Sequence, residues 1–285
     1  MAKYRKILVA VDGSDSSKNA FRQACGIGRE DKSWITAITV IPSYEDQFQT
    51  LTIKEKVSRA LKKEGQKVLQ EIVKIADAED IVVKTVLAEG DTADQIADAA
   101  EDGGYELIVM GRHGRGRLER AFMGSVTARV IGKSMADILV VPSDAALSWH
   151  DMLFPVDGSK NSISASERAL DFAKSRGSSL TAVSVVDVTE EFYAQAPEAV
   201  ERLIEKARSL LEDLSKKAGD MGMDIKAVIR EGETYKKIVE LAARSKAGVI
   251  FMAASGKTGA RRLLMGSITE KVIGHSPCPV LVVKG

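Results

Sequence analysis

Ile7-Leu8-Val9-Ala10-Val11-Asp12-Gly13-Ser14 is the stretch on which the fold turns. Five apolar residues run without a break, and Asp-Gly-Ser then stops them. A short continuous run of this kind reads as a strand covered on both faces. Ser and Asp just after it are ready N-caps for a helix. The same text returns as Met152-Leu153-Phe154-Pro155-Val156-Asp157-Gly158-Ser159, 145 residues further on. Glu89-Gly90-Asp91-Thr92 returns as Glu231-Gly232-Glu233-Thr234, and 110–132 returns as 252–274, now 142 residues on. Eleven of the 28 positions in 105–132 match 247–274. The chain of 285 residues therefore divides into two domains, 1–143 and 150–285, joined across Ser143–His150. Each has an ordinary domain size.

Strand and helix patterns alternate in both halves. In the first, strands are expected at Lys6–Val11, Trp34–Ile41, Ile81–Leu87, Tyr105–Met110 and Ile138–Val141. Helices are expected at Ser16–Gly28, Ile53–Ala78, Asp91–Ala100 and Ser125–Gly132. The second half repeats the scheme, with one helix expected at Ala199–Ala218 between its second and third strands. Alternation of this kind predicts an α/β fold: two tandem open parallel sheets with helices on both faces. In such sheets ligands sit outside the carboxyl ends of strands, where the strand order reverses. The residues that follow strands one, two and four are the ones to examine.

Composition narrows the field. Hydrophobic residues make up 45% and charged residues 28%, enough for a sizeable core without staples. Lys plus Arg is 41 against 40 for Asp plus Glu, a net charge of +1. That balance argues against bulk attraction to nucleic acid or an anionic membrane, and leaves a local basic patch open. Neither kind of partner is expected. Cys25 and Cys278 are far apart and form no metal spacing. Three histidines, His113, His150 and His275, are scattered. No apolar run approaches the ~20 residues of a membrane span, and no leader pattern opens the chain. A cytoplasmic protein is expected.

After strand four comes Met110-Gly111-Arg112-His113-Gly114, and nine residues beyond Gly114 stand Gly124-Ser125-Val126-Thr127, which open a helix. Glycines let the backbone approach a phosphate, and free N–H groups with the helix dipole favour an anion. Arg115, Arg117 and Arg120 lie in the spacer against the single acid Glu119. In physical terms this is a phosphate cradle. It is neither a P-loop, because Arg117-Leu118 stands where Lys-Ser/Thr is required, nor a dinucleotide fingerprint. Plainer readings stand beside it. Asp12 and Asp157 also suit turns or caps, Gly111 and Gly114 suit plain turns, and a loop histidine such as His113 is most often simply solvated.

The pattern Gly-x2-Gly-x9-Gly-Ser resembles the nucleotide-binding signature of the universal stress protein family. Val11-Asp12-Gly13-Ser14 and the strand Ile138-Leu139-Val140-Val141 carry the resemblance further, and it covers nearly the whole chain twice. The resemblance implies a five-stranded sheet in the order 3-2-1-4-5, Rossmann-like and of the adenine-nucleotide alpha-hydrolase kind. It implies ATP, or ADP or AMP, as ligand. Val11, Asp12 and Val40 would take the nucleoside side. Met110, Gly111, His113, Gly114, Gly124, Ser125, Val126 and Thr127 would take the ribose and phosphates. Mg²⁺ would be held by phosphate oxygens, with no direct protein ligand.

In the second half the corresponding set is Pro155, Val156, Asp157, Val185, Met252, Ala253, Gly256, Gly266, Ser267, Ile268 and Thr269. Ala253 replaces the first glycine, so this site is expected to be weaker, altered or empty, above all if that position needs a positive φ. No nucleophile–base–orienter set is visible, so no catalytic residue is assigned, and hydrolysis is expected to be slow or absent. The expected role is a nucleotide-dependent switch in the stress response. The alternatives are a scaffold acting through protein contacts with vestigial sites, or a slow ATPase. The resemblance also implies pairing through strand five, so the two halves are expected to form a pseudo-dimer and the tandem chain a homodimer, with an unknown protein partner.

Overall fold

The computed structural model describes residues 3–43, 51–114, 123–254 and 265–284, the side chains of 51–54 excepted. The described residues form two compact units that divide between Asp144 and Ala145.

The first unit runs β1 (Lys6–Ala10), α1 (Asp15–Asp31), β2 (Trp34–Ile41), α2 (Leu51–Ala78), β3 (Val83–Glu89), α3 (Thr92–Asp102), β4 (Leu107–Gly111), α4 (Ser125–Lys133) and β5 (Asp137–Val141). All its strand pairs are parallel, in the order β3-β2-β1-β4-β5. Ile7 is in register with Ile35 on one side and Leu107 on the other. β1 thus lies between β2 and β4, and the order of winding reverses there. α1 packs with α2 and α3 with α4, so helices cover both faces. This is why β1 and β4 are apolar throughout their buried lengths, and β5 after the buried Asp137, which accepts the Tyr4 hydroxyl at 2.9 Å: Ile7, Val9, Ile108, Val109, Ile138 and Leu139 are all wholly enclosed. Each such side chain taken from water contributes about 1.5–3 kcal/mol.

The second unit runs β6 (Asp151–Pro155), α5 (Lys160–Arg176), β7 (Ser179–Val186), α6 (Glu190–Gln195), α7 (Pro197–Asp220), β8 (Ile225–Glu231), α8 (Thr234–Ser245), β9 (Val249–Ala253), α9 (Ser267–His275) and β10 (Val280–Val283). Its order is β10-β9-β6-β7-β8, the same topology position for position. Aromatic side chains fill its core: Phe154, Phe172, Phe251 and Trp149 pack in tilted and edge-on pairs with centroids 4.8–6.2 Å apart. The guanidinium of Arg176 lies 4.7 Å from the centroids of both Trp149 and Phe172.

The fold class expected from the sequence is the one observed, with shifted element ends (β3 runs Val83–Glu89 where Ile81–Leu87 is expected, and β4 Leu107–Gly111 where Tyr105–Met110 is expected) and two further local differences. β1 and β6 end one residue early, at Ala10 and Pro155, although the Val11 and Val156 amides still donate to Ile38 and Val183. The single helix expected at Ala199–Ala218 is preceded by a separate short one. α6 has no buried residue, so it carries no apolar stripe from which to be read. Pro197 at the first turn of α7 starts the longer helix afresh.

Candidate functional site

The loop after β1 is set by its own side chains. The Asp12 Oδ1 accepts the Ser14 amide at 3.0 Å and the Ser14 hydroxyl at 2.6 Å. Gly13 between them has φ +82°, which a Cβ would strain. Ser14 caps α1, its Oγ accepting from the Ser17 amide at 3.2 Å. The Ser17 hydroxyl returns a bond to the Ser14 carbonyl at 2.9 Å. Val11 is fixed to β2, for its carbonyl accepts the Thr39 hydroxyl at 2.9 Å. Val40, half-buried, is the next residue along that strand.

The loop after β4 is closed by three bonds. The Arg112 amide continues the ladder to the Val141 carbonyl at 2.9 Å. The Arg112 carbonyl accepts the Gly124 amide at 2.9 Å. The Thr127 hydroxyl donates to the Gly111 carbonyl at 3.2 Å. Together they bring the first turn of α4 back to the end of β4. Gly124 caps that helix with no side-chain hydrogen bond, and Ser125 is exposed. A helix start left in this state offers backbone donors to an anion.

The two loops meet. The Ser14 Oγ lies 3.4 Å from the His113 carbonyl oxygen. A Cβ on Gly114 would stand 2.7 Å from the Asp12 Oδ2. Asp12, Gly111, His113, Gly114, Gly124 and Thr127, named from the sequence, therefore surround one place. The side chains of Val11 and Met110 are buried in the core behind it. Gly111 also has a packing reason of its own: a Cβ there would stand 2.8 Å from the carbonyl carbon of Ser16, in the first turn of α1. Ser14, Ser16 and Ser17 hold the loop; Ser14 stands in the quoted Asp-Gly-Ser run, but none of the three is among the candidate site residues expected from the sequence. The signal for them is the Asp-Gly-Ser run itself, since a serine two residues after an Asx-turn aspartate caps the next helix.

Helix α4 is also braced from its side. The Arg129 guanidinium grips Asp91 through two bonds, 2.9 Å and 2.8 Å. Asp91 is itself the N-cap of α3, accepting from the Ala93 and Asp94 amides. The Arg129 hydrogen bonds hold the Asp91 carboxyl below the usual carboxylate range. Lys133 adds an ion pair with Asp94.

In the second unit the frame recurs. Asp157 accepts the Ser159 amide at 2.9 Å, and Ser159 caps α5. The Gly266 amide donates to the Ala254 carbonyl at 3.2 Å, and the Thr269 hydroxyl to the Ala253 carbonyl at 3.3 Å. Ser267 and Ile268 open α9 exposed. Val185 holds the place of Val40. Ala253 has no positive φ, so the backbone strain that would have disqualified it is absent. Ala253 is half-buried, and the counterpart of the buried Ser16 is the exposed Asn161. Gly256, with Arg115, Arg117, Arg120 and Arg262, lies outside the described residues. Among the described residues no group of His, Cys, Asp and Glu is arranged to hold a metal, and no helix is long and apolar enough to cross a membrane.

The family model described as the universal stress protein family matches twice, over residues 3–142 and 148–284. The chain belongs to the universal stress protein family. A universal stress protein of Mycobacterium tuberculosis is 26% identical over 307 residues, spanning 100% of this chain and 99% of its own length. One from Methanocaldococcus jannaschii is 37% identical over 140 residues, 48% of this chain and 82% of that protein. The crystal structure of a universal stress protein from Archaeoglobus fulgidus overlays with a TM-score of 0.74 at 21% identity, covering 98% of each chain. That last likeness is one of fold. The first relative has this chain's tandem length, and the second matches about half of it.

Proposed function

We propose that this universal stress protein binds an adenine nucleotide, ATP with Mg²⁺, at the carboxyl edge of the first unit's sheet, and works as a nucleotide-dependent switch. The observation that carries the reading is the meeting of the two loops. A helix start at Gly124-Ser125 without a side-chain cap, its Ser125 exposed, is held within one hydrogen bond of the end of β4, next to a carboxylate already fixed by Ser14. The residues fit the ligand. Backbone amides of the first turn of α4 and the Ser125 hydroxyl would take phosphate oxygens. Asp12 would accept from a hydroxyl or amine and the half-buried Val40 would flank the base, while Val11, buried behind the site, would only support the loop. Mg²⁺ would neutralise phosphate charge, bound mainly through phosphate oxygens.

The loop that meets Asp12 carries Arg112 and His113 in the first unit and Ala254 and Ser255 in the second. We therefore assign the stronger site to the first unit. A switch needs a nucleotide that binds one state better than the other, and no catalytic group is assigned here. A cytoplasmic location and a homodimer of the tandem chain complete the proposal. Light scattering on the purified chain tests the dimer.

The main test is direct. Purified protein is denatured and the released nucleotide identified by mass spectrometry. The empty protein is then titrated calorimetrically with Mg-ATP, ADP, AMP and cAMP. One universal stress protein has been solved in complex with cAMP, so the cyclic nucleotide belongs in the series. One ATP per chain is the expected result. Two per chain would remove the distinction between the units. No nucleotide and no binding would favour the scaffold reading. ADP produced catalytically, and abolished by Asp12→Asn, would make the protein an ATPase.

A further inference from the structure

Helix α4 is tied at two levels. At its first turn the Gly124 amide donates to the Arg112 carbonyl, and the Thr127 hydroxyl to the Gly111 carbonyl. Arg129 comes five residues after Gly124, about 7.5 Å further along the axis. There its guanidinium donates from both terminal nitrogens to the two oxygens of Asp91. The same carboxylate accepts the Ala93 and Asp94 amides at 3.0 Å and 3.1 Å, so four bonds converge on it. Lys133, one turn on, pairs with Asp94, whose carboxylate also lies 3.7 Å from the Arg129 guanidinium. These side chains are partly exposed, and a single exposed ion pair contributes little to stability. A planar guanidinium bonded at both ends to one carboxylate does something else: it fixes direction as well as distance. The buried Val130 and Ile131 hold α4 on the sheet, but apolar contact is non-directional and leaves the helix able to roll.

The second unit keeps the first-turn ties and lacks this clamp. Glu233 stands for Asp91, Lys271 for Arg129, Lys236 for Asp94 and His275 for Lys133. Glu233 gives α8 no side-chain cap; it pairs with Lys236 at 2.7 Å and lies 3.9 Å from Lys271. α9 meets α8 through rings instead, Tyr235 and His275 having centroids 5.1 Å apart, with the Lys271 ammonium 5.0 Å from the Tyr235 centroid. Both units form the same frame, so the fold does not require the bidentate pair. It stands in the unit to which the stronger site is assigned.

We propose that Arg129, gripped by Asp91, is a positioning residue for the phosphate-binding start of α4, fixing the roll of the helix so that the amides of Ser125, Val126 and Thr127 converge on one place. The inference rests on the nucleotide reading above and adds to it the α3–α4 contact as a determinant of affinity. Arg129 acts through the helix, since its guanidinium is engaged by Asp91.

The test is calorimetry with Mg-ATP on the full chain. Arg129→Ala should lower the affinity about fivefold or more. Arg129→Lys keeps the charge without the planar fork, inserts the residue the second unit carries, and should fall between Arg129→Ala and the parent. Asp91→Asn decides the cause. Asn is still a good N-cap, so α3 keeps its start, while a negative charge leaves the neighbourhood of a polyanion. If charge alone acted, ATP would bind more tightly. Loss of the clamp predicts the reverse, binding about fivefold weaker. Hydrogen exchange on each variant reports whether β1 and β4 stay protected. The proposal is overturned if Asp91→Asn binds ATP as tightly as the parent or more so. It is also overturned if Arg129→Ala loses sheet protection while the folded protein keeps the parent's affinity. A parent that binds no ATP would sink the nucleotide reading and this one with it. A parent that binds, with variants that bind equally well, sinks the clamp alone.

Discussion

Gly111→Ala is the substitution the structure prices most closely. A Cβ added there would stand 2.6 Å from the Ser16 Oγ, 2.9 Å from its Cβ and 2.8 Å from its carbonyl carbon. The hydroxyl can rotate away, but the carbonyl carbon cannot move unless the first turn of α1 moves with it. Ser16 is also tied to the Val141 carbonyl at 3.2 Å. Overpacking of a rigid contact costs about 1–3 kcal/mol. Against this, alanine stiffens the unfolded chain and recovers about 0.4–1 kcal/mol, since the φ of Gly111 is not positive. At the middle of each range a net loss of about 1.3 kcal/mol remains, confined to the first unit. Hydrogen exchange read by mass spectrometry separates the units. Peptides covering β1 and β4 should exchange about 5- to 30-fold faster, while those covering β6 and β9 serve as the unchanged reference. Ser16→Gly in the same chain removes the Oγ and Cβ conflicts but not the carbonyl one, so it should restore only part of the protection. Unchanged or slower exchange in Gly111→Ala would mean that α1 accommodates the methyl group. The difference between Gly111 and Ala253 would then need another explanation.

Other outcomes follow from the same geometry. Gly124→Val places its branched side chain over the start of α4, where a Cβ is already 3.3 Å from the Arg112 carbonyl oxygen. Loss of one charge-assisted bond should lower ATP affinity about 10- to 100-fold in calorimetry while circular dichroism stays as in the parent. Burial pushes the Cys25 thiol up to about 12 and the Cys278 thiol up to about 11, so neither should react with a thiol reagent until denaturant is added. The unfolded thiols ionise near pH 8.5 and the folded ones do not, so their contribution to stability is complete below that pH and is lost as pH rises through about 11 and 12. Alkaline denaturation should therefore begin later in Cys25→Ser than in the parent. The Asp91 carboxyl is held low by Arg129, so its contribution is present at neutral pH and disappears as pH falls below the usual carboxylate range. Arg129→Ala should raise the Asp91 titration observed by NMR, and an unchanged titration would show that the bidentate pair does not form.

Much of this was legible because the sequence repeats. Ile7–Val11 and Met152–Val156 name the same strand twice, and buried strands of a parallel sheet have no polar face to blur the signal. Asp12, Gly111 and Gly114 could be found from spacing, since each sits at or just past the end of a strand, and Gly124 because it opens the next helix. What spacing does not carry is the reason for each residue. Gly111 is a packing glycine against α1, and Gly114 leaves room for the Asp12 carboxylate, two long-range facts that no local pattern encodes. Ser14 brings the loops together, its Oγ 3.4 Å from the His113 carbonyl oxygen, a contact across 99 residues. The short helix α6 escaped for the opposite reason, since six exposed residues have no periodicity to read.

The duplication also separates what holds the fold from what acts on a ligand. Bonds made in both units belong to the scaffold: Ser14 and Ser159 capping the first helix, Gly124 and Gly266 returning to the preceding loop, and Thr127 and Thr269 reaching back to the strand end. They persist even though Ala253-Ala254 has replaced Gly111-Arg112, so that frame does not depend on the glycine or the arginine. A residue kept only in the first unit must then answer to something the frame does not need. Gly111 answers to the close approach of α1. Arg112 is almost wholly buried, an expensive place for a guanidinium, and its counterpart Ala254 shows that the loop closes without it. If Arg112 were there for the fold, Arg112→Ala would destabilise the first unit and leave the affinity of the folded protein for ATP intact. If it supports the phosphate site, the same substitution should lower that affinity about tenfold or more at unchanged sheet protection, because hydrogen bonds to charged groups are worth about 1.5–3 kcal/mol. The second outcome is expected, and exchange and calorimetry on one preparation distinguish the two.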